Sequence, residues 1–138
     1  MSRLVYLDAS ALVKLVIDEP ESAALTGYLT DEPRIVTSAL SAVEVPRAVR
    51  MIEPQEPAPE RAQNIVARCA LIEVDREVRD AAAGLDPPPL RTLDAIHLAS
   101  ALRVSEELSA TVIYDRRLAA AAREAGLEVA APGQLAAP

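Results

Sequence analysis

The sequence has neither phenylalanine nor tryptophan, and tyrosine occurs only three times among its 138 residues. Aliphatic side chains must therefore fill the core, and alanine, valine and leucine supply most of the 51% of residues that are hydrophobic. A chain of this length is expected to form a single domain over residues 1–138, with a core of ordinary size.

The sequence also lacks the features of a disulfide-bonded protein and of a membrane-spanning segment. Cys69 is the only cysteine, which excludes a disulfide within the chain and suits a reducing cytosol. No stretch approaches the roughly 18 consecutive apolar residues of a membrane span. The first residues lack the basic segment and apolar stretch of a signal peptide. Together these absences predict a cytoplasmic protein that does not act at a membrane.

Lysine is nearly absent: Lys14 is the only one, and the other basic residues are 13 arginines. With 21 acidic residues, the net charge is −7. Such a balance argues against binding a nucleic acid through a broad basic surface. Two features weaken that argument. Arginine is the better phosphate ligand, and acids that hold a divalent cation attract phosphate through the ion. An acidic surface also suits a basic protein partner.

Short apolar runs alternate with longer segments of helical pattern. This alternation predicts an α/β fold in which a central parallel sheet of about five strands carries helices on both faces. The predicted strands are Arg3–Leu7, Arg34–Thr37, Leu71–Val74, Thr111–Tyr114 and Leu127–Ala130. The predicted helices are Ala11–Asp18, Glu21–Thr30, Ala39–Met51, Pro59–Arg68, Arg76–Gly84, Thr92–Glu107 and Arg116–Ala125.

Four acids lie among apolar residues, at positions that net charge does not explain: Asp8, Glu44, Asp94 and Asp115. Asp8 and Asp115 follow predicted strands, and ligands of open parallel sheets bind beyond the carboxyl ends of the strands. If those two strands are neighbours, the two carboxylates lie close together, and the helices can bring the other two acids to the same edge. Converging carboxylates repel one another. Mg²⁺ or Mn²⁺, which prefer oxygen ligands, relieve that repulsion and support hydrolysis of a phosphodiester.

Each acid also has a plain structural interpretation. Asp8 and Asp115 suit N-caps of the helices that follow them. Glu44 suits a solvent-facing helical position, and Asp94 suits the first turn of a helix, near the positive end of its dipole. The functional interpretation therefore depends on the four acids together.

The segments that carry these acids resemble PIN-domain ribonucleases, in particular the VapC toxins of bacterial toxin–antitoxin pairs. "LDASALVKL" resembles the opening motif of that family, and "TSALSAVEVPRA" resembles the segment with its second acid. "LRTLDAIHLASAL" is the closest match and carries the third, and "TVIYDRRLAAAAREAGLEV" resembles the closing strand, acid and helix. The resemblance extends nearly from end to end of the chain.

This resemblance implies an endoribonuclease that depends on Mg²⁺ or Mn²⁺. It implies that Asp8 and Asp94 are metal ligands, and that Glu44 is a ligand or an acid that orients water. Asp115 would complete the site directly or through a water molecule. Ser10 would support Asp8 through its hydroxyl group, or would simply begin the helix. The implied substrate is RNA, with tRNA as a typical target, and the implied partners are a small VapB-like antitoxin and a second copy in a homodimer.

Pro46, two residues after Glu44, departs from the family's pattern. It cannot donate to the carbonyl of Ala42, so a kink that re-aims Glu44 is expected. His97 is the only histidine and lies three residues after Asp94. A general base or a metal ligand is one interpretation of His97, and a packed histidine with local hydrogen bonds is the preferred one.

Three arginines lie close in sequence to Asp94 and Asp115: Arg91, Arg116 and Arg117. Bidentate contacts with RNA phosphates would suit them, and solvated surface positions are the alternative.

Other functions that place acids at strand ends fit the sequence less well. A phosphoacceptor receiver domain needs an acid pair after its first strand and a lysine near its last strand. Here the residue before Asp8 is Leu7, so the pair is missing, and the only lysine is Lys14. A phosphatase with an aspartyl nucleophile needs a second aspartate where Ser10 stands. A catalytically inactive PIN-like module for binding or regulation is the remaining alternative, and retention of the four acids counts against it.

Overall fold

Each predicted apolar run forms a strand in the computed structural model, which describes residues 3–135. The strands are Leu4–Leu7 (β1), Arg34–Ser38 (β2), Ala70–Ile72 (β3), Ala110–Val112 (β4) and Val129–Ala130 (β5). The helices are Ala9–Val13 (α1), Ser22–Tyr28 (α2), Ser41–Ile52 (α3), Ala58–Ala67 (α4), Arg76–Ala83 (α5), Thr92–Arg103 (α6) and Arg116–Glu124 (α7). The predicted α/β class and parallel sheet are confirmed.

β1 lies at the centre of a sheet whose strand order is β3-β2-β1-β4-β5, with every neighbouring pair parallel. Val5 of β1 is opposite Ile35 of β2 and Ala110 of β4. The chain first adds β2 and β3 on one side of β1, and then returns to add β4 and β5 on the other. The strand order therefore reverses between β1 and β4, which is where open α/β sheets bind ligands.

Alternate residues of β1 enter cores on opposite faces of the sheet, as the two-residue period of a strand requires. Val5 and Leu7 are fully buried in a cluster with residues of α1, α3 and α4. Tyr6 lies in the second cluster, with residues of α6 and α7. β1 is thus buried on both faces, which explains its unbroken apolar sequence.

Two local predictions can be compared with the observed helices. α1 begins at Ala9, two residues earlier than predicted, because Asp8 provides its N-cap. α3 continues through Pro46 to Ile52, so the proline does not end that helix. Among residues 3–135, no helix is long and apolar enough to cross a membrane.

Candidate active site

Asp8 lies at the carboxyl end of β1 and is 5% exposed. Its Oδ1 accepts two hydrogen bonds of 2.9 Å, one from the Ala11 N–H and one from the Ser10 hydroxyl. Burial raises the pKa of Asp8 above its ordinary value, although the Ala11 N–H and nearby His97 act in the opposite direction. The capping interpretation and the site interpretation of Asp8 are therefore compatible, since one oxygen caps α1 and the other remains for a ligand.

Asp94 approaches the same edge from the first turn of α6, and Asp115 does so from the N-cap of α7. Asp115 Oδ1 accepts the Leu118 N–H at 2.9 Å and so caps α7. Partial burial raises the pKa of Asp94, and the negative charge of Asp115 raises it further, while Arg91 lowers it. The two carboxylates thus lie close enough to repel each other.

Arg91 lies between these two carboxylates. Its Nε is 3.5 Å from Asp94 Oδ2, and its Nη2 is 3.3 Å from Asp115 Oδ2. The Arg91 side chain is 74% exposed, and exposed ion pairs contribute little net stability. The guanidinium therefore neutralises part of the local charge without being fixed there.

Glu44 reaches the site from α3, and a buried histidine holds it. His97 Nε2 lies 2.7 Å from Glu44 Oε1, and His97 Nδ1 lies 2.7 Å from the Tyr6 hydroxyl. Burial raises the pKa of Tyr6 well above its ordinary value, so the hydroxyl keeps its proton and can donate to Nδ1. Nε2 then carries the ring proton and donates to the carboxylate, which can only accept. Sequence reasoning missed this Tyr6–His97–Glu44 chain.

The preferred interpretation of His97 needs one correction. The side chain is packed, with 4% exposure, as that interpretation expected. Its partners are not local, however, because Tyr6 and Glu44 lie 91 and 53 positions away in the sequence. The sequence signal was limited to a lone histidine one helical turn after Asp94, and only the packing of α6 against β1 and α3 identifies its partners.

One cavity of about 430 Å³, here called the acid cavity, gathers all four acids. Its lining also includes Ser10, Arg91 and His97. Of the three arginines with a predicted phosphate role, Arg91 alone lines this cavity. Arg117 lines a neighbouring cavity, and Arg116 donates to the carbonyl oxygen of Leu135 at 2.6 Å.

The donor chemistry of the acid cavity fits a hard divalent cation. Its charged acceptors are carboxylates, and burial together with mutual repulsion raises the pKa values of Asp8 and Asp94, which a cation would reverse. Within residues 3–135, no three acids, histidines or cysteines stand close enough together to form a completed metal site.

Comparisons with known proteins agree with this geometry. The PIN domain family matches residues 5–124. "Ribonuclease VapC46" of Mycobacterium tuberculosis is 47% identical over 129 residues, which cover 93% of this chain and 97% of that protein. "Ribonuclease VapC35" of the same species is 46% identical over 136 residues, which cover 95% and 98% of the two chains.

Among solved structures, the chain resembles VapBC2 from Rickettsia felis, determined bound to a DNA fragment from the promoter of that pair. The TM-score is 0.67, and the match covers 94% of this chain and 98% of the other. Sequence identity in this match is 12%, so the likeness supports the fold.

Proposed function

The chain belongs to the PIN domain family and is a ribonuclease of the VapC toxin type, and on that premise we propose that Asp8, Glu44, Asp94 and Asp115 form its catalytic centre. The observation that carries this assignment is the convergence of the four acids on one cavity where the strand order reverses. We further propose that residues 1–138 form one nuclease domain that acts in the cytoplasm, where its RNA substrate is found.

The proposed cofactor is Mg²⁺ or Mn²⁺, held by Asp8 and Asp94, with Glu44 and Asp115 as further ligands or as acids that orient water. Such an ion, when bound, supplies a Lewis acid that activates water and neutralises charge on the scissile phosphate. Asp8 would bind the ion through Oδ2, because its Oδ1 is engaged by Ala11 and Ser10. Ser10 thereby fixes the orientation of the Asp8 carboxylate.

Glu44 and Asp115 also each have one carboxylate oxygen engaged by a hydrogen-bond donor. His97 engages Glu44 Oε1, and the Leu118 N–H engages Asp115 Oδ1. Arg91 contacts Asp94 and Asp115 through an exposed side chain. We propose that Arg91 leaves these carboxylates for an RNA phosphate when the site is loaded, since guanidinium groups bind phosphate in a bidentate manner.

The proposed partners are an antitoxin, an RNA with secondary structure such as tRNA, and a second copy of the chain. The net charge of −7 favours a basic antitoxin segment over a broad electrostatic hold on RNA. Homodimer formation is supported by exposed apolar side chains of α3, of which Val43, Met51 and Ile52 are 60%, 88% and 56% exposed.

The experiment that tests this function incubates the purified chain with tRNA and single-stranded RNA, in Mg²⁺, in Mn²⁺ and in EDTA. We expect internal cleavage that leaves 5′-phosphate ends with either metal, loss of cleavage in EDTA, and inhibition by the antitoxin encoded beside the gene. If no RNA is cleaved with either metal while the chain still binds its antitoxin, the catalytically inactive module is the correct interpretation.

The Tyr6–His97–Glu44 chain makes a separate prediction. Tyr6→Phe removes the hydrogen bond to His97 Nδ1, so one end of the imidazole loses its anchor and the ring holds Glu44 less firmly. We expect kcat for RNA cleavage to fall about three- to tenfold, with KM unchanged, because the effect reaches the site only through Glu44. Tyr28→Phe is the matched control, since the Tyr28 hydroxyl makes no hydrogen bond within residues 3–135.

Two substitutions of His97 sharpen that test. The amide of His97→Gln can donate from the place of Nε2 and is expected to retain more activity than His97→Asn, whose shorter amide cannot reach Glu44. When Glu44→Gln is also present, the difference in kcat between His97→Gln and His97→Asn should shrink, because the effects of substitutions in contacting residues are not additive. Equal kcat values for Tyr6→Phe and Tyr28→Phe would refute the positioning role.

A further inference from the structure

A second cavity, of about 670 Å³, adjoins the acid cavity and shares Arg91 and Asp94 with it. One wall is the segment 86–90 that precedes α6, and the other is a face of α7. The catalytic centre proposed above uses neither of these walls. A substrate whose phosphate lies at the four acids would extend directly into this space.

The α7 wall is shaped by side-chain size. Arg117, Ala120, Ala121 and Glu124 line the cavity, and their spacing places them on one face of the helix. The two alanines at the middle leave the space open, while the long charged side chains stand at its two ends. Ala120 is exposed to the cavity, whereas Ala121 is buried against the core.

The opposite wall is stiff and, apart from Asp86, apolar. Pro87, Pro89 and Leu90 line it, and proline rings restrict the backbone before any ligand arrives. A wall that is already ordered loses little conformational entropy when it binds a flat apolar group.

Three charged side chains of this cavity have no partner of their own. Within residues 3–135, Asp86, Arg117 and Glu124 take part in no side-chain hydrogen bond or ion pair. They are therefore available to a ligand that combines apolar faces with polar edges. A nucleobase has this character, since its faces stack on guanidinium groups and its edge carries N–H donors.

We propose that this space, here called the base cavity, binds the nucleobase of a nucleotide adjacent to the scissile phosphate. The inference rests on the proposed ribonuclease function and deepens it by adding a determinant of sequence preference. Arg117 stacks on the base or contacts its phosphate, and the walls of proline, leucine and alanine cover its faces. Asp86 and Glu124 accept hydrogen bonds from an exocyclic amine, so adenine, cytosine and guanine are preferred to uracil, which has none.

The test fills the base cavity without changing the four acids. Ala120→Phe places a ring in the space, and Ala125→Phe makes the same change at an exposed position of the C-cap of α7 that does not line it. Cleavage is measured on RNAs randomised around the cut site, and Mn²⁺ binding is measured by titration calorimetry. We expect Ala120→Phe to lower kcat/KM about tenfold or more and to abolish the base preference, with Mn²⁺ affinity unchanged and Ala125→Phe equal to the parent.

A second pair of variants changes exposed arginines of α7, so that its result does not depend on how a new ring packs in the cavity. Arg117→Gln should weaken binding of a short RNA to the Asp8→Asn protein, measured by fluorescence anisotropy, and Arg123→Gln should not. Equal cleavage and equal base preference in Ala120→Phe and Ala125→Phe would overturn the inference while the ribonuclease function stands. So would loss of antitoxin binding in Ala120→Phe with cleavage unchanged, because the cavity would then belong to a protein partner. A parent protein that cleaves no RNA would refute the proposed function itself.

Discussion

Asp8→Asn is expected to lower metal-dependent RNA cleavage by about three orders of magnitude, while the protein without metal remains at least as stable as the parent. The loss follows because an amide is a poor ligand for a hard divalent cation, and metal activation of water supplies much of the rate. Asp94→Asn is expected to cause a similar loss, since Asp94 is the other principal ligand in the proposed centre.

The stability of Asp8→Asn follows from the local contacts. Asparagine keeps a side-chain oxygen that can accept from the Ala11 N–H and the Ser10 hydroxyl, so the N-cap of α1 is retained. The substitution also removes a buried negative charge. Burial of that charge raises the pKa of Asp8 in the parent, and the asparagine variant no longer bears the free-energy cost of burying it. The parent therefore carries a charge that serves function at the expense of stability.

Thermal unfolding in EDTA and in Mg²⁺ tests both the retained stability of Asp8→Asn and its loss of metal binding. Mg²⁺ should raise the melting temperature of the parent, because a ligand that binds only the folded state stabilises it, and it should leave Asp8→Asn unchanged. Asp18→Asn is the matched control at an exposed position. An Asp8→Asn protein that cleaves RNA at the parent rate would show that the metal lies elsewhere.

Leu98→Ala is expected to lower the free energy of unfolding by about 3 kcal/mol, through a cavity in the core beneath the site. Leu98 is 1% exposed and lies in the cluster that contains Tyr6, Ile113 and Leu118. It is one turn beyond Asp94 on α6, so the same helix presents the acid to the cavity and anchors itself to the sheet. Urea denaturation measures the change.

Leu93→Ala is the control for this substitution, on the same helix. Leu93 is 49% exposed, so its truncation removes much less buried surface and should cost under about 1 kcal/mol. Equal losses from the two substitutions would mean that α6 is not packed on the sheet through Leu98.

The order of strands and helices was predictable because the apolar runs are short and separated by helical pattern. "LVYL" and "TVIY" are buried on both faces, so they carry a continuous signal. Boundaries were less accurate where packing decides them. The third strand was predicted at Leu71–Val74 and is observed at Ala70–Ile72, because its only partner is β2, which ends at Ser38 opposite Ile72.

For the candidate site, the sequence predicted four acids and the strand ends that carry two of them. It also offered Ser10 as a hydrogen-bond partner of Asp8, two residues away. It could not predict the contacts with the other acids that join distant parts of the chain. Arg91 was proposed as a phosphate ligand, and its contact with both Asp94 and Asp115 required the geometry of two helix starts. The Tyr6–His97 contact required β1 and α6 to be adjacent.

The position of β1 at the centre of the sheet also bears on when this protein becomes active during its synthesis. Asp8 leaves the ribosome well before β4, which pairs with β1, and before Asp115, because both lie more than a hundred residues later in the chain. Sheets built from such distant pairings form late and slowly. The proposed catalytic centre can therefore assemble only after β4 and Asp115 have left the ribosome and β4 has paired with β1.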